Sequence, residues 1–412
     1  MPSRPQTPLA RHGRLSHPRP LATAAKFVVA AIAVVAVSSA AVGAVAVYDL
    51  STTVTTGGVK LIGQPVAKAP PGLGAYDGEI NVLVAASDSA EGDPAYGKRG
   101  EHLNDVTMLL HVSADHQSAT VVSFPRDLII PIASCPNGKG GNYPAQVNKI
   151  NVALTYGGLP CIVKTVENLT GMTIPFAALT EFQGVVGMSN AVGGVTVCIA
   201  KAIHDEQIHF DLEAGQQTLV GQDAVQFLRV RYGVGDGSDL ARISNQQSFL
   251  SALVRKIKTP EVLGNPVKDY ELAKAVVDNT KRSESLSNLT TMVSMALAVK
   301  DISFEDVVFV KYPSGYGTAA GQNGVLPSKA AADILFTALR NDQPIALTGG
   351  TGEGTTLDPN NPTVTSPTTP ATTSAAPTDA ATPAPSAVAL PSSVNGQTAA
   401  QNTCTKGQRA KG

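Results

Sequence analysis

The 412-residue chain has no tryptophan, and aromatic residues make up 5% of it. That argues against ordinary carbohydrate-stacking platforms. Charged residues amount to 15% with a formal net charge of −1, so overall electrostatics give no case for nucleic-acid binding. Any affinity for phosphate has to come from local arginines. No Gly-rich nucleotide loop of the P-loop type is present. Ser87 and Ser89 flank Asp88 without a nucleophile-elbow pattern. His102, His111, His116, His204 and His209 show neither metal-ligand spacing nor an accompanying acid triad, and no internal repeat is evident. The four cysteines, Cys135, Cys161, Cys198 and Cys404, match no zinc spacing.

What the chain does have is an uncharged Val/Ala-rich run from Phe27 to Val47, about 21 residues and enough to cross a bilayer. Arg4, Arg11, Arg14, Arg19 and Lys26 precede it without an acid, and Asp49 follows. The positive-inside rule then predicts a single-pass protein of the cell membrane, its N-terminus cytoplasmic and the remainder outside. Ala44-Val45-Ala46 resembles a signal-peptide cleavage site, and that alternative also exports the domain. Outside the cytoplasm the cysteines can form disulfides. Cys135, in a Gly/Asn/Pro loop, and Cys161, at a helix start, are the favoured pair. Cys198 reads as a buried thiol in an apolar strand, and Cys404 as an unpaired tail residue.

The segments divide as follows: 1–26 basic and cytoplasmic, 27–47 the membrane anchor, 48–78 a spacer, 79–260 the domain carrying the chemistry, 261–345 a mostly helical part of the same globule, and 346–412 a tail. Apolar runs at Glu79–Ala86, Thr107–Val112, Thr120–Phe124, Phe176–Phe182, Val195–Ile199 and Val307–Val310 read as strands. Helical spacing covers Gln146–Tyr156 and Cys161–Leu169, parted by Gly157-Gly158. It recurs at Val185–Val192, at Gly221–Leu228, from Ser238 or Asp239 towards Lys258, and at Ser328–Arg340. This alternation predicts an α/β fold, a mixed central sheet flanked by helices. Thr348–Pro391, rich in Thr, Pro, Ala and Ser, has little to bury and is expected to be extended and mobile.

Arginine is scarce in the apolar body, yet it recurs at element ends. Arg126-Asp127 follows an apolar strand and Pro125, the place where ligands bind in open α/β sheets. Arg229 and Arg231 stand two apart after a short helix, so that an extended chain turns both to one side. Arg242 and Gln246 share a helix face, with Asp239 near its first turn. Asp88 and Asp105 sit at the ends of apolar strands, where two carboxylates suit Mg²⁺ or Mn²⁺ beside phosphate oxygens. Each of these also has a bland reading as a turn, cap or surface pair. Together they suit a pyrophosphate with a divalent metal.

At this point the residues resemble a known family. Asn81 to Ser89, Asn104 to Leu110, Val121 to Asp127, Lys149-Ile150-Asn151, Tyr156-Gly157-Gly158, Lys164 to Leu169, Gly193-Gly194-Val195, Phe227 to Arg231 and Asp239 to Gln247 are similar, in order and spacing, to LytR-CpsA-Psr cell-envelope proteins of an actinobacterial type. The resemblance covers roughly Glu79 to Lys258. It implies a glycopolymer–peptidoglycan phosphotransferase, moving a polymer such as teichoic acid or arabinogalactan from a polyprenyl-pyrophosphate carrier onto peptidoglycan. It implies Asp88 and Asp105 at the metal. Arg126, Arg229, Arg231, Arg242 and Gln246 would surround the pyrophosphate, Asp127 and Asp239 would support them, and an apolar tunnel would hold the lipid. Asp105, Arg126 and Arg231 would carry the catalysis. Ala90 and Leu103 stand where many members have arginine; Lys98 or Arg99 are candidate substitutes. A non-catalytic polyprenyl-phosphate-binding regulator and a polyprenyl-pyrophosphate hydrolase are the competing readings.

Overall fold

The computed structural model describes residues 44–55, 57–87, 103–363 and 387–408. Most of the expected membrane run, Asp88, Ala90, Lys98, Arg99 and His102 lie outside the described residues. No helix among the described residues is long and apolar enough to cross a membrane. Of the two compact units, the first ends at Asp49, and only its helical residues 44–49 are described; the second runs from Leu50.

In the second unit eleven strands build the two larger sheets. In chain order they are β1 (Ile80–Ser87), β2 (Asn104–Val112), β3 (Ala119–Phe124), β4 (Phe176–Thr180), β5 (Val195–Lys201), β6 (Gly215–Leu219), β7 (Thr280–Arg282), β8 (Val307–Lys311), β9 (Thr355–Leu357), β10 (Gly396–Thr398) and β11 (Thr403–Lys406). The helices are α1 (Ala153–Thr170), α2 (Phe182–Ala191), α3 (Gln222–Arg229), α4 (Asp239–Ile257), α5 (Pro266–Asp278), α6 (Leu289–Val299) and α7 (Lys329–Arg340). The main sheet has the order β7-β4-β1-β2-β3-β8-β10. It is mixed: β1 is parallel to β4 and β3 to β8, while β2 runs antiparallel to both its neighbours. Consequently β1, β3, β4 and β8 end at the same edge, where β2 begins. Leu83, Leu109 and Val122 are wholly buried on one face, against Ile162 and Val166 of α1 and Leu335 of α7. The other face contributes Val82, Leu110 and Val121 to a core that also holds Leu250 and Val254 of α4 and Met295 of α6. The smaller sheet has the order β6-β5-β11-β9.

Four expectations need correction. Gln146–Lys149 is a strand, not helix, because it pairs antiparallel with Ile129–Ile132; the helix begins only at Ala153. The spacer is laid on the domain: Val59 N–H donates to Arg282 O at 2.7 Å, and Leu61 is buried. The tail is not uniformly extended. Residues 346–363 and 387–408 supply β9, β10 and β11; the rest of the expected tail, 364–386, lies outside the described residues. The composition of the tail hid this because Leu390, Val394 and Ala399 are buried in cores built by residues far away in sequence. Finally, Cys198 and Cys404 are neither buried thiol nor unpaired tail residue. They form a disulfide across the neighbouring strands β5 and β11, 206 residues apart.

Cys135 and Cys161 form the second disulfide, with Cα atoms 5.6 Å apart. It explains Gly157. A Cβ there would stand 2.8 Å from Cys135 Cβ and 3.0 Å from Cys161 Cβ, so only glycine lets the helix approach the bridge. Replacing both Cys198 and Cys404 by alanine is expected to cost ~2–5 kcal/mol of stability, because the open chain regains the entropy of a long loop. The shift of the urea midpoint against wild type measures it.

Candidate functional site

The strand ends converge on a cavity of about 380 Å³. Val84 and Ala86 of β1 and Val106 and Met108 of β2 form its floor, opposite apolar side chains from α2, α3 and α4. Asp105, Arg126, Arg229, Arg231, Arg242 and Gln246 also line it. Four guanidiniums from three separate stretches of sequence therefore share one apolar-walled space.

Each arginine is held by a distinct local device. Arg126 lies two residues beyond β3, after Pro125, whose carbonyl accepts from Leu128 N–H at 3.0 Å and closes a turn. Its Nη1 donates to Asp105 Oδ1 at 2.5 Å, and its Nε lies 4.0 Å from Asp127 Oδ1. Asp127 is itself tied to Lys149 at 3.2 Å. Burial pulls the Arg126 guanidinium down, but the carboxylates of Asp105, Asp127 and Asp239 outweigh burial and leave it above its ordinary value. Ser238, rather than Asp239, caps α4: its side chain accepts from Ala241 N–H at 3.1 Å. Asp239, the first residue of the helix, instead accepts from Arg242 Nη2 at 2.5 Å, and both residues are buried. Among the described residues, Asp239 Oδ2, Arg126 Nε and Arg242 Nε are buried without hydrogen-bond partners. Such orphans cost free energy unless a ligand meets them.

Arg229 and Arg231 reach the same cavity about Val230, whose backbone is extended (φ −55°, ψ 131°). Arg229 ends α3, and the chain departs from the helix at Val230. Val230 is wholly buried, which turns the flanking arginines together to the other side. Arg229 lies over the Phe182 ring at 4.7 Å. Arg231 Nε donates to Gly237 O at 3.1 Å.

Two supporting residues were not foreseen. Asp205 is buried, and its Oδ2 accepts from the backbone N–H groups of Arg231 (3.1 Å), Tyr232 (2.9 Å) and Gly233 (3.3 Å). Asn245 donates to Phe227 O at 2.8 Å, while Gln246 donates to Leu228 O at 3.0 Å. A run of five buried polar residues, Ser244 to Ser248, inside a helix was the available signal: buried polar groups need partners. Asp205 had no such signal, since an acid before Glu206 reads as an ordinary turn.

The expected sites thus divide. Asp105, Arg126, Arg229, Arg231, Arg242 and Gln246 line the cavity; Asp127 and Asp239 stand behind the arginines; Asp88 lies outside the described residues. At position 103 the backbone carbonyl of Leu103 accepts from Ser87 Oγ at 2.8 Å.

The fold and site define an α/β sandwich with a cationic, apolar-walled cavity at the carboxyl ends of its parallel strands. The model of the LytR_cpsA_psr family matches residues 52–339, and the chain belongs to that family. It is 31% identical over 267 residues to the cell wall biosynthesis protein LcpA of Corynebacterium glutamicum, covering 58% of this chain and 51% of LcpA. The chain thus spans about half the length of that relative. It is 25% identical over 303 residues to the polyisoprenyl-teichoic acid–peptidoglycan teichoic acid transferase TagT of Bacillus subtilis, covering 71% of this chain and 87% of TagT. The crystal structure of protein gbs0355 from Streptococcus agalactiae shares the fold, with a TM-score of 0.52 and 19% identity over 64% of this chain and 88% of that one.

Asp205→Asn keeps the size and removes the charge that gathers three amides. It is expected to cost ~1–3 kcal/mol and to loosen the Arg231–Gly233 turn. Faster amide exchange at Arg231 and Tyr232, with slow exchange kept in β1 to β3, would record it.

Proposed function

We propose that the protein transfers a glycopolymer from a polyprenyl-pyrophosphate carrier to peptidoglycan, leaving a phosphodiester link. One observation carries this reading: four guanidiniums gather at a cavity whose other walls are apolar, so anionic head and greasy tail are served together. Membership of the family and the names of its relatives support it. Two disulfides support an oxidising compartment outside the cytoplasm, as the expected membrane anchor requires.

In this reading Arg126, Arg229, Arg231 and Arg242 hold the pyrophosphate oxygens. Phosphoryl transfer needs positioning and charge neutralisation more than covalent chemistry from the protein. An acceptor sugar hydroxyl forms the new P–O bond as the P–O–P bridge breaks, and polyprenyl phosphate leaves. Its proton passes to a carboxylate, for which Asp105 is the choice. Mg²⁺ or Mn²⁺ suits a carboxylate beside phosphate oxygens, and Asp105 lines the cavity while engaging Arg126 through Oδ1. Asp105, with Asp88 from the sequence, would hold the ion, which when bound supplies charge neutralisation to the pyrophosphate.

The test incubates the protein with a labelled polyprenyl-pyrophosphate glycan, Mg²⁺ and peptidoglycan. Polymer joined to peptidoglycan is the expected product. Free phosphorylated glycan would mark a hydrolase, and binding without turnover a regulator. Arg126→Ala and Arg231→Ala are each expected to lower transfer ~10²-fold or more with circular dichroism unchanged. Unaltered rates in both would remove the assignment.

A further inference from the structure

Residues 403–408 lie beyond the family-matched stretch, which ends at 339, yet they hold the part of the site that carries Arg229 and Arg231. At about 100° per residue, Asn245 and Ser248 stand on a side of α4 that adjoins the one carrying Arg242 and Gln246. That second side meets β11: Thr405 Oγ1 donates to Asn245 Oδ1 at 2.6 Å, and Thr403 Oγ1 to Ser248 Oγ at 2.9 Å. Asn245 is fully buried and passes the contact on, its Nδ2 donating to Phe227 O at 2.8 Å. That carbonyl belongs to the last turn of α3, where carbonyls lack helical partners, and Arg229 follows two residues later. Further along, Gln408 N–H donates to Gly233 O and Gly235 N–H to Lys406 O, both at 2.8 Å, and Gln408 Nε2 reaches Tyr232 O at 3.0 Å. The Cys198–Cys404 bridge fastens the strand to β5. The arginine turn is therefore gripped from behind by a strand that contributes no residue to the cavity.

We propose that the C-terminal strand positions the arginine turn, with Asn245 and Thr405 as positioning residues that set Arg229 and Arg231 for a pyrophosphate. Neighbouring guanidiniums repel, so they have to be held before the anion arrives; otherwise binding also has to order them. The inference rests on the reading of the cavity as a pyrophosphate site.

Farnesyl pyrophosphate with Mg²⁺, titrated calorimetrically into the full chain, tests it. Thr405→Val keeps the shape and removes the donor to Asn245, Thr405→Ser keeps the hydroxyl, and a chain ending at Gly407 loses the Gln408 contacts. Thr405→Val and the shortened chain are expected to bind roughly ten-fold more weakly, and Thr405→Ser within about two-fold of wild type. Unchanged affinity in both altered chains would overturn the proposal, as would equal weakening by Ser and Val, which marks packing rather than the hydroxyl. If Thr405→Val does not fold, the chain ending at Gly407 decides. Wild type that fails to bind the probe removes the pyrophosphate reading itself; wild type that binds, beside unaffected variants, removes only the strand's role.

Discussion

Guanidiniums brought into one apolar-walled cavity repel each other, by about 4 kcal/mol for a pair 4 Å apart at the effective dielectric near a protein surface. The architecture around the site answers that constraint. Asp105 and Asp127 flank Arg126, Asp239 holds Arg242, and Asp205 gathers the amides beside Arg231. The carboxylates restrain the arginines without saturating them: the Nε atoms of Arg126 and Arg242 have no hydrogen-bond partner among the described residues. An anion entering the cavity meets cations already in place, so little of its binding energy goes into ordering them.

Helix α4 joins this site to the rest of the domain. Its cavity side carries Arg242 and Gln246, and Leu250 continues it into the apolar core. An adjoining side is polar and buried, which is tolerable only because β11 and the end of α3 supply partners for Asn245 and Ser248. Residues 406–408 are tied in turn to the segment that carries Arg231. Dismantling either side of the helix would expose the other, through unmatched charge in one direction and unsatisfied amides in the other.

Much of this was legible along the chain. The runs at Ile80, Thr107 and Thr120 became central strands because a strand buried on both faces reads as a continuous apolar run. Arg126 after Pro125, and Arg242 four before Gln246, were legible because strand ends and helix faces follow from local geometry. The strand at Gln146–Lys149 was not, since its pairing with Ile129–Ile132 overrides a local helical pattern. Asp205 and Asn245 were missed for a related reason. Their partners are backbone groups at Arg231 and Phe227, and no side-chain pattern announces a backbone group.

The order of residues alone determined the α/β class, the central strands and the set of arginines, because periodicity, strand ends and motif spacing are properties of neighbouring residues. Only the tertiary structure decided that Cys198 meets Cys404, that residues 387–408 return through a Thr/Pro/Ala-rich stretch to complete both sheets, and that Asp205 rather than a nearer acid braces Arg231. Those contacts join positions from 26 to more than 200 residues apart. Their stability comes from burying groups whose complements are set by the folded whole and not by anything adjacent in the chain.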